Sequence, residues 1–566
     1  MFQLFKFNGG VKPASNKTQS VVEPSAVAPL PERLIVPLHQ NIGGTPRPVV
    51  KPGDRVLKGQ LIGEADGWIS AAVHAPTSGT VLEIASHVQP HPSGLAAVSV
   101  VIAPDGLGEW IDRQPVDYRN LPPDAVQKAI RQAGIVGLGG AAFPTHGKMT
   151  PSKGVVMEEL IINGGECEPY ITCDDVLMRE QAAGIVRGTS IIRDLMQPKK
   201  VLIGIEDNKP EAIAAMRAAV AASGENFEVV AVPAIYPAGS AKQLTRMLTG
   251  KEVPVGKRST DIGTQCFNVS TAYAVWRALE HGEPLIERLV TVTGNVERPR
   301  NWLAPIGTPI ADLIALAGPR ADTDGVIMGG PMMGFAVPDL AVSTVKATNC
   351  LIARSPALFP PAPPEMPCIR CGECARACPQ DLQPFDMYWF SRAKDFGKTQ
   401  EYHIFDCIEC GCCSYVCPSH IPLVQYFRFS KSEIWAREGD KKAADSARER
   451  FEAKTAREER EKAEKAEKLA KAAAAQAAKK AAEAAAASSE AAPAINAAPS
   501  ADDAEAAKKA TIAAAIERAK AQRASVQPKN TEALSSDQQQ AIAAVDTLRQ
   551  QAGIEAPPAD SEKPQS

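Results

Sequence analysis

Between residues 33 and 103, short apolar runs alternate with turn residues. "VVKPGDRVLKGQLIGEA" sets Pro-Gly-Asp between β-rich runs, and "VHAPTSGTVLEI" gives another turn and strand. The pattern changes at "DAVQKAIRQA" (124–133), whose apolar spacing predicts an amphipathic helix starting at Asp124. "LIINGGECEPYITCDD" (160–175) opens as a continuous apolar strand and ends as a polar loop. "VLIGIED" (201–207) is another strand, followed by the helix-like "KPEAIAAMRAAVAA". "FEVVAVPAIYPAGSAKQLTRMLTG" (227–250) repeats strand then helix, and "GTQCFNVSTAYAVWRAL" (263–279) puts Asn268 just before an amphipathic helix. Strands alternating with helices predict an α/β domain. "RLVTVTGNVERPRNWLAPIGTPIADLIALAG" (288–318) gives strands, a Pro-rich turn and a short helix.

The pattern ends near residue 440. Beyond it come stretches such as "EEREKAEKAEKLAKAAAAQAAKKAAEAAAA", broken by "PAINAAPSADD" and closing in "EAPPADSEKPQS". Alanine and charged residues favour helix, but Leu, Ile, Val and Phe are nearly absent, so no apolar stripe exists to pack. The prediction is a solvated helix of about 50 residues, then disorder with shorter helices. A coiled coil would need large apolar residues at its a and d positions.

Composition adds limits. A chain of 566 residues suggests several domains. The net charge of −3 gives no electrostatic reason to expect nucleic acid. No stretch reaches the roughly 20 apolar residues of a membrane helix; "GVIMGGPMMGFAVP" (325–338) is short and broken by Gly and Pro. "MFQLFKFNGG" lacks the apolar run of a secretory signal. The expectation is a chain soluble by itself, in a reducing compartment, reaching any membrane through partners.

Chemistry enters with the thiols. Cys407, Cys410, Cys413 and Cys417-Pro418 follow the C-x2-C-x2-C-x3-C-P run of bacterial [4Fe–4S] ligands. Upstream, "CIRCGECARACP" repeats it with Cys368, Cys371, Cys374, Cys378 and Pro379. In two-cluster ferredoxins the fourth cysteine of such a run ligates the other cluster. The expected sets are therefore Cys368, Cys371, Cys374 and Cys417 for one cluster, and Cys407, Cys410, Cys413 and Cys378 for the other. A single C-x2-C pair would suit zinc; two full runs, each closed by Cys-Pro, do not. Cys167, Cys173, Cys266, Cys350 and Cys412 fall outside the register and read as buried or free thiols. His74, His146, His403 and His420 have no ligand spacing among them.

"GIVGLGGAAFPTHGKM" (134–149) is dense with glycine, which permits close backbone approach to a phosphate or ring. It is no Walker A loop, because Ala142 stands five before Gly147 and Met149 follows Lys148. It formally matches a Rossmann fingerprint through Gly137, Gly139 and Ala142. Yet a helix, not a strand, precedes it, and Phe143-Pro144-Thr145 follows.

Taken together, "FNGGVKP", "GLGGAAFPTHGK", "NGGECEPYITCDD", "YPAGSAKQLTRMLTGKEVP", "NVSTAYA", "GGPMMG" and both cysteine runs resemble the C subunit of the Rnf (Rsx) electron-transport complex over about residues 1–435. The α/β core is similar to the NADH- and FMN-binding subunit of respiratory complex I. Residues falling on that subunit's motifs are Gly137, Gly139, Gly140, Phe143, Lys148, Asn163, Glu166, Glu168, Asn268 and Thr271. The resemblance implies that Lys148 neutralises an FMN phosphate beside glycine N–H groups. It implies that Asn163 and Asn268 serve the flavin or its ribityl chain, and that Glu166 and Glu168 hydrogen-bond a nicotinamide nucleotide. Turn stabilisation is an equally ordinary task for one of these carboxylates. Complex I has Gly-Glu-Glu near its flavin, where this chain has Gly239-Ser240-Ala241-Lys242, so nucleotide contacts there do not carry over.

The strand pairs at 33–103 resemble the barrel-sandwich hybrid of lipoyl domains. The hairpin tip "DGWISAAVHAP" has no lysine to modify, which leaves a β scaffold. Residues 288–318 resemble a soluble-ligand-binding β-grasp (SLBB) domain, read here as a structural spacer.

The expected architecture is multidomain α/β. It comprises an N-terminal extension (1–32), a barrel-sandwich-hybrid-like β domain (33–105), and a complex I flavin-subunit-like FMN/NADH-binding α/β domain (120–285). A β-grasp (SLBB) domain (286–350), an α-helical two-[4Fe–4S] ferredoxin-type domain (360–435) and the low-complexity tail (436–566) follow. By resemblance the chain carries non-covalent FMN and two [4Fe–4S] clusters and takes NAD(H) as substrate. It sits peripherally on the cytoplasmic side of a bacterial inner membrane with subunits A, B, D, E and G. Electron transfer between NAD(H) and ferredoxin is there coupled to Na⁺ or H⁺ movement; some members keep a redox-sensing transcription factor reduced. The alternative is an electron-relay or docking subunit that binds no nucleotide. No residue is singled out as a catalytic acid or base.

Overall fold

The computed structural model describes residues 3–150, 152, 154–487 and 517. The chain divides into two compact units, Met1–Ala447 and Arg448–Ser566.

The first unit opens with short strands. β1 (Ala26–Val27) joins a later sheet, while β2 (Leu34–Pro37), β4 (Arg55–Val56), β7 (Gly79–Val88) and β8 (Ala96–Pro104) form one antiparallel sheet. β3 (Arg47–Pro48), β5 (Leu61–Glu64) and β6 (Val73–His74) form a smaller one. Their inner faces bury Leu34, Val36, Val56, Ile62, Val81, Val100 and Ile102. Alternating side chains on short strands build such a two-sheet core.

After α1 (Pro123–Gln132) and the short α2 (Thr145–Lys148) comes a parallel four-stranded sheet. Its strands are β9 (Glu159–Gly164), β10 (Lys200–Glu206), β11 (Phe227–Val232) and β12 (Thr264–Asn268), ordered β11-β10-β9-β12. α3 (Cys173–Glu180), α4 (Ala182–Met196), α5 (Pro210–Ser223), α6 (Ala241–Thr249) and α7 (Val269–His281) connect or follow them. Leu160 and Ile162 on β9 belong to one apolar cluster, Ile161 to another with Leu244, Met247 and Leu248 of α6. Both faces are therefore covered, which is why β9 and β10 read as unbroken apolar runs.

Sequence reading missed α3 and α4. α3 buries Cys173 through Met178 without interruption, so it lacks the polar face that marks a surface helix. α4 packs closely on α7: a Cβ at Gly188 would stand 1.8 Å from the Ala272 carbonyl oxygen.

β13 (Glu287–Gly294), β14 (Arg300–Pro305), β15 (Gly325–Met328), β16 (Phe335–Ala336) and β17 (Cys350–Arg354) form the mixed sheet ordered β1-β14-β13-β17-β15-β16. α8 (Ile310–Ala317) packs Ile310, Leu313 and Ile314 with Val290, Val292 and Leu351 of this sheet. Next come α9 (Glu373–Arg376), α10 (Pro384–Arg392), α11 (Phe396–Glu401), α12 (Cys412–Tyr415) and α13 (Leu423–Ala487). α13 buries Leu423, Val424, Phe427 and Ile434 near its start. In the second unit, residues 448–484 are helical and exposed, with i,i+4 ion pairs such as Lys471–Glu467 at 2.6 Å. The expectation of disorder and shorter helices beyond residue 487 lies outside the described residues, residue 517 apart.

Lys346 joins three of these modules. Its fully buried ammonium donates to Ala72 O at 2.7 Å and Gly134 O at 2.8 Å, with no carboxylate within 4.0 Å among the described residues. Burial pushes its pKa down to about 7 from 10.5. Between these values the unfolded chain binds the proton that the folded chain has released. Lys346 therefore makes stability rise with pH across that window. Lys346→Met should flatten this rise: the melting temperature of the parent, relative to the variant, should climb between about pH 7.5 and pH 9.5. A constant difference would mean that Lys346 keeps its ordinary pKa in the fold.

Candidate functional site

Strand order β11-β10-β9-β12 places a topological switch point between β9 and β12. Ligands of open α/β sheets bind outside the carboxyl ends of strands at such a point. The residues paired there are Asn163 of β9 and Asn268 of β12. Thr271 of α7 stands beside them, its buried hydroxyl accepting the Leu138 N–H at 2.9 Å. That bond fixes the glycine loop over the strand ends.

The loop itself is open. Gly139 and Gly140 are exposed, Gly140 has φ +116°, and a Cβ there would meet nothing within 4 Å. A Cβ at Gly139 would lie 3.4 Å from Asn268. Phe143 supports the turn from below, its carbonyl accepting the Gly137 N–H at 2.8 Å and its ring lying under Gly147. Lys148, the last residue of α2, donates to Cys266 O at 2.8 Å and lies 5.2 Å above the Phe267 ring. Burial lowers its pKa, and no carboxylate lies within salt-bridge distance among the described residues. A half-buried cation with only a carbonyl partner, beside an open glycine turn, fits an anionic group such as a phosphate.

Other expected ligand groups are engaged within the protein. Asn163 donates to Gly239 O at 2.8 Å and accepts from Gly165 N at 2.9 Å. Asn268 caps α7 by accepting from Ser270 N at 2.9 Å and donates to Asp174 at 2.6 Å. Glu166 is buried and accepts the Asp174 N–H at 2.8 Å, at the start of α3. Burial raises its pKa to about 7, against the pull of Lys17. The Glu166 carbonyl accepts from Lys17 at 2.7 Å. Glu168 accepts from Met332 N at 3.2 Å and Met333 N at 2.7 Å, holding the Gly329–Gly334 turn. Burial raises its pKa to about 7 as well. In this structure both carboxylates stabilise turns around the strand ends.

The eight run cysteines gather around two small cavities. Cys368, Cys371, Cys374 and Cys417 line the first. Cys378, Cys407, Cys410 and Cys413 line the second, with Cys412 alongside. The two halves share a backbone device. Arg370 and Gly372 have φ +55° and +78°; Glu409 and Gly411 repeat this at +58° and +81°. Asp381 and His420 do the same after each Cys-Pro, at +54° and +53°. These left-handed residues curl each loop so that its thiols converge.

Sequence reading missed Tyr236 as a link. Its hydroxyl donates to Cys410 O at 2.6 Å, and its backbone pairs with Val11. Gly10 N donates to Ala377 O at 3.0 Å, and Gln243 donates to Pro379 O at 3.0 Å. The "NGG" of the N-terminal segment carried the signal: a Cβ at Gly9 would stand 2.6 Å from Ala377 O.

Family models match along the chain. They are the RnfC barrel sandwich hybrid domain at residues 5–107 and the Nuo51 FMN-binding domain at 130–277. An SLBB domain matches at 289–336 and a 4Fe-4S dicluster domain at 367–421. The C subunit of the ion-translocating oxidoreductase complex of Yersinia pestis bv. Antiqua (strain Antiqua) is 48% identical over 80% of this chain and 73% of its own. The chain belongs to this family of C subunits. Relatives of the same description from Serratia proteamaculans (strain 568) and Pectobacterium carotovorum subsp. carotovorum (strain PC1) are 49% and 48% identical over 80% of this chain. The chain spans 65% and 61% of their respective lengths. The multidomain α/β architecture expected from the sequence holds, and the chain carries both an FMN-binding domain of the Nuo51 type and a 4Fe-4S dicluster domain. Among the described residues no helix is long and apolar enough to cross a membrane.

The tightest contact near the site is Gly239 on Gly165, where an added Cβ would stand 1.7 Å from the Gly165 carbonyl oxygen. Gly239→Ala must push the two turns apart. It should destabilise the protein by about 1–3 kcal/mol and lower flavin content, read by melting and by flavin released per chain. Parental stability and flavin content in the variant would show that the turns separate freely.

Proposed function

We propose that this subunit exchanges electrons with NAD(H) at an FMN seated on the β9/β12 switch point. The cysteines of the two runs would hold two [4Fe–4S] clusters, which would supply a one-electron path toward membrane partners. The observation that carries the flavin reading is Lys148, a half-buried cation with only a carbonyl partner beside the open Gly137–Gly140 loop. FMN, when bound, supplies conversion between two-electron and one-electron transfer, and the clusters supply one-electron relay. The chain's own residues bind and orient. Lys148 and the glycine N–H groups hold the phosphate, while Thr271 and Phe143 keep that loop in place. Asn163 and Asn268 shape the floor, each with hydrogen-bonding capacity beyond the bonds described.

The cluster ligands we assign are Cys368, Cys371, Cys374 and Cys417 for one and Cys378, Cys407, Cys410 and Cys413 for the other. The cavity linings support this crossed arrangement. The Tyr236–Cys410 and Gln243–Pro379 bonds make the second set the nearer neighbour of the flavin module. Cys371 is exposed, which favours the first set as the exit. We read the partners as subunits A, B, D, E and G, with ferredoxin beyond them. The seat is then peripheral, on the cytoplasmic face of the inner membrane.

The internal engagement of Glu166 and Glu168 favours a second reading, a relay or docking subunit that takes no nucleotide. Anaerobic NADH titration of the purified protein separates the two: bleaching of a flavin band supports the first, its absence the second.

Lys148→Ala should weaken FMN binding about ten- to a hundredfold, the loss of one charge-assisted contact, while iron content stays at the parent's level. Cys371→Ser should do the opposite. It should keep FMN and NADH oxidation with a soluble artificial acceptor, yet fail in the assembled complex. Unchanged FMN affinity in Lys148→Ala would remove the phosphate assignment.

The register makes a separate prediction. Anaerobically purified protein should hold about eight irons. Cys413→Ser should lose about half of them, whereas Cys412→Ser, whose thiol packs beside Tyr236, should keep nearly all. Equal losses would mean a different ligand set.

A further inference from the structure

The two cysteine loops share one backbone design but stand in different surroundings. Cys371 and Cys410 hold equivalent places, each the second cysteine of its run. Cys371 is exposed, and its carbonyl accepts from Arg376 Nη2 at 3.3 Å. That guanidinium is itself exposed and also bonds Glu373. Cys410 is buried, and its carbonyl accepts the Tyr236 hydroxyl at 2.6 Å. Tyr236 is only 3% exposed. Val11, Ala377 and Cys412 are buried with this pair, and Cys167, Met332 and Ile408 pack around them. The same carbonyl thus meets a solvated cation in one half and a dry phenol in the other.

Closing the joint between the modules does not need that hydroxyl. The Tyr236 backbone already pairs with Val11, and Gln243 reaches Pro379 O. A phenylalanine would fill the same apolar space. What the hydroxyl adds is a fixed dipole with its hydrogen aimed at the Cys410 loop. In apolar surroundings such a dipole acts on a nearby charge more strongly than in water. Reduction adds one negative charge to a cluster, and the hydrogen bonds and solvent exposure around it set its potential. Tyr236 also stands toward the flavin side, since Gly239 of the same turn accepts from Asn163 at the floor of the proposed seat.

We infer that Tyr236 is a positioning residue for electron transfer: acting through Cys410, its hydroxyl raises the reduction potential of the cluster held by Cys378, Cys407, Cys410 and Cys413. The inference rests on the ligand assignment proposed above.

The test uses the full-length holoprotein, purified anaerobically, in a redox titration followed by electron paramagnetic resonance. The second cluster is the signal that Cys413→Ser removes. Tyr236→Phe keeps the ring and loses the donor. It should lower that cluster's midpoint potential by up to about tenfold in the reduction equilibrium, or about 59 mV for a one-electron couple. The first cluster should keep the parent's midpoint. Tyr236→3-fluorotyrosine, whose phenol is the stronger donor, should move the second midpoint upward. A role in packing alone would not give shifts of opposite sign. Iron content shows whether Tyr236→Phe retains both clusters; if it does not, the fluorotyrosine shift decides alone. A second midpoint that stays put or moves the other way, or equal shifts of both clusters, would overturn the inference and leave the ligand assignment standing. A parent without [4Fe–4S] signals, or a Cys413→Ser variant that keeps both, would overturn the two together.

Discussion

Several modules of this chain meet through buried cations that donate to backbone carbonyls. Lys346 reaches Ala72 O and Gly134 O, Arg288 reaches Leu138 O, and Lys17 reaches Glu166 O. Half-buried Arg131 adds a bond to Ser70 O at 3.3 Å. A long cationic side chain has several donors and can bridge two chain segments at once. The solvation lost on burial is large, so such bonds form only when the carbonyls arrive in one arrangement. The joints therefore specify how the modules meet more than they strengthen the meeting. They also explain why the N-terminal segment matters: Lys17 lies under the Glu166 turn, and Gly9 and Gly10 lie against the cysteine loops.

The switch point follows from the same economy of contacts. Crossing from β11 back to β12 leaves a crevice at the ends of β9 and β12. Tight glycine contacts shape its border, Gly165 against Gly239 and Gly139 against Asn268. Side chains that face the crevice first satisfy the turns that form it. Asn163, Asn268, Glu166 and Glu168 all do so. Lys148 and the outer glycines differ, because open space or a lone carbonyl is what they meet. A seat for an anionic cofactor is thus marked more clearly by what remains unmatched than by what is polar.

This bears on how much the sequence disclosed. The α/β alternation was legible because β9, β10 and β11 are apolar runs separated by helical spacing. α3 and α4 were not, because a helix buried on most sides has no polar stripe to mark its period. The cysteine runs were legible as a motif, and the structure brings their eight thiols to two cavities, four at each. The engagement of Glu166 with α3 and of Glu168 with Met332 and Met333 was not legible. The second of these joins positions far apart in sequence, and no local pattern records it. Tyr236 is a similar case: nothing around it in the chain points to Cys410.

The crossed grouping of thiols carries a consequence for folding. Cys417 lines a cavity with three cysteines of the first run, and Cys378 lines one with three of the second. Neither half can complete its own set of four. The pairing of the two runs also forms the apolar centre of Met387, Tyr388, Phe427 and Ile404 that lies between them. Under the proposed ligand assignment, metal binding and chain closure are one event, because a thiolate set that spans both halves exists only when both are in place. The start of α13 belongs to this event: Leu423 and Val424 enter the same apolar centre directly after Cys417-Pro418. The described residues 448–484 of that helix are exposed and carry few large apolar side chains.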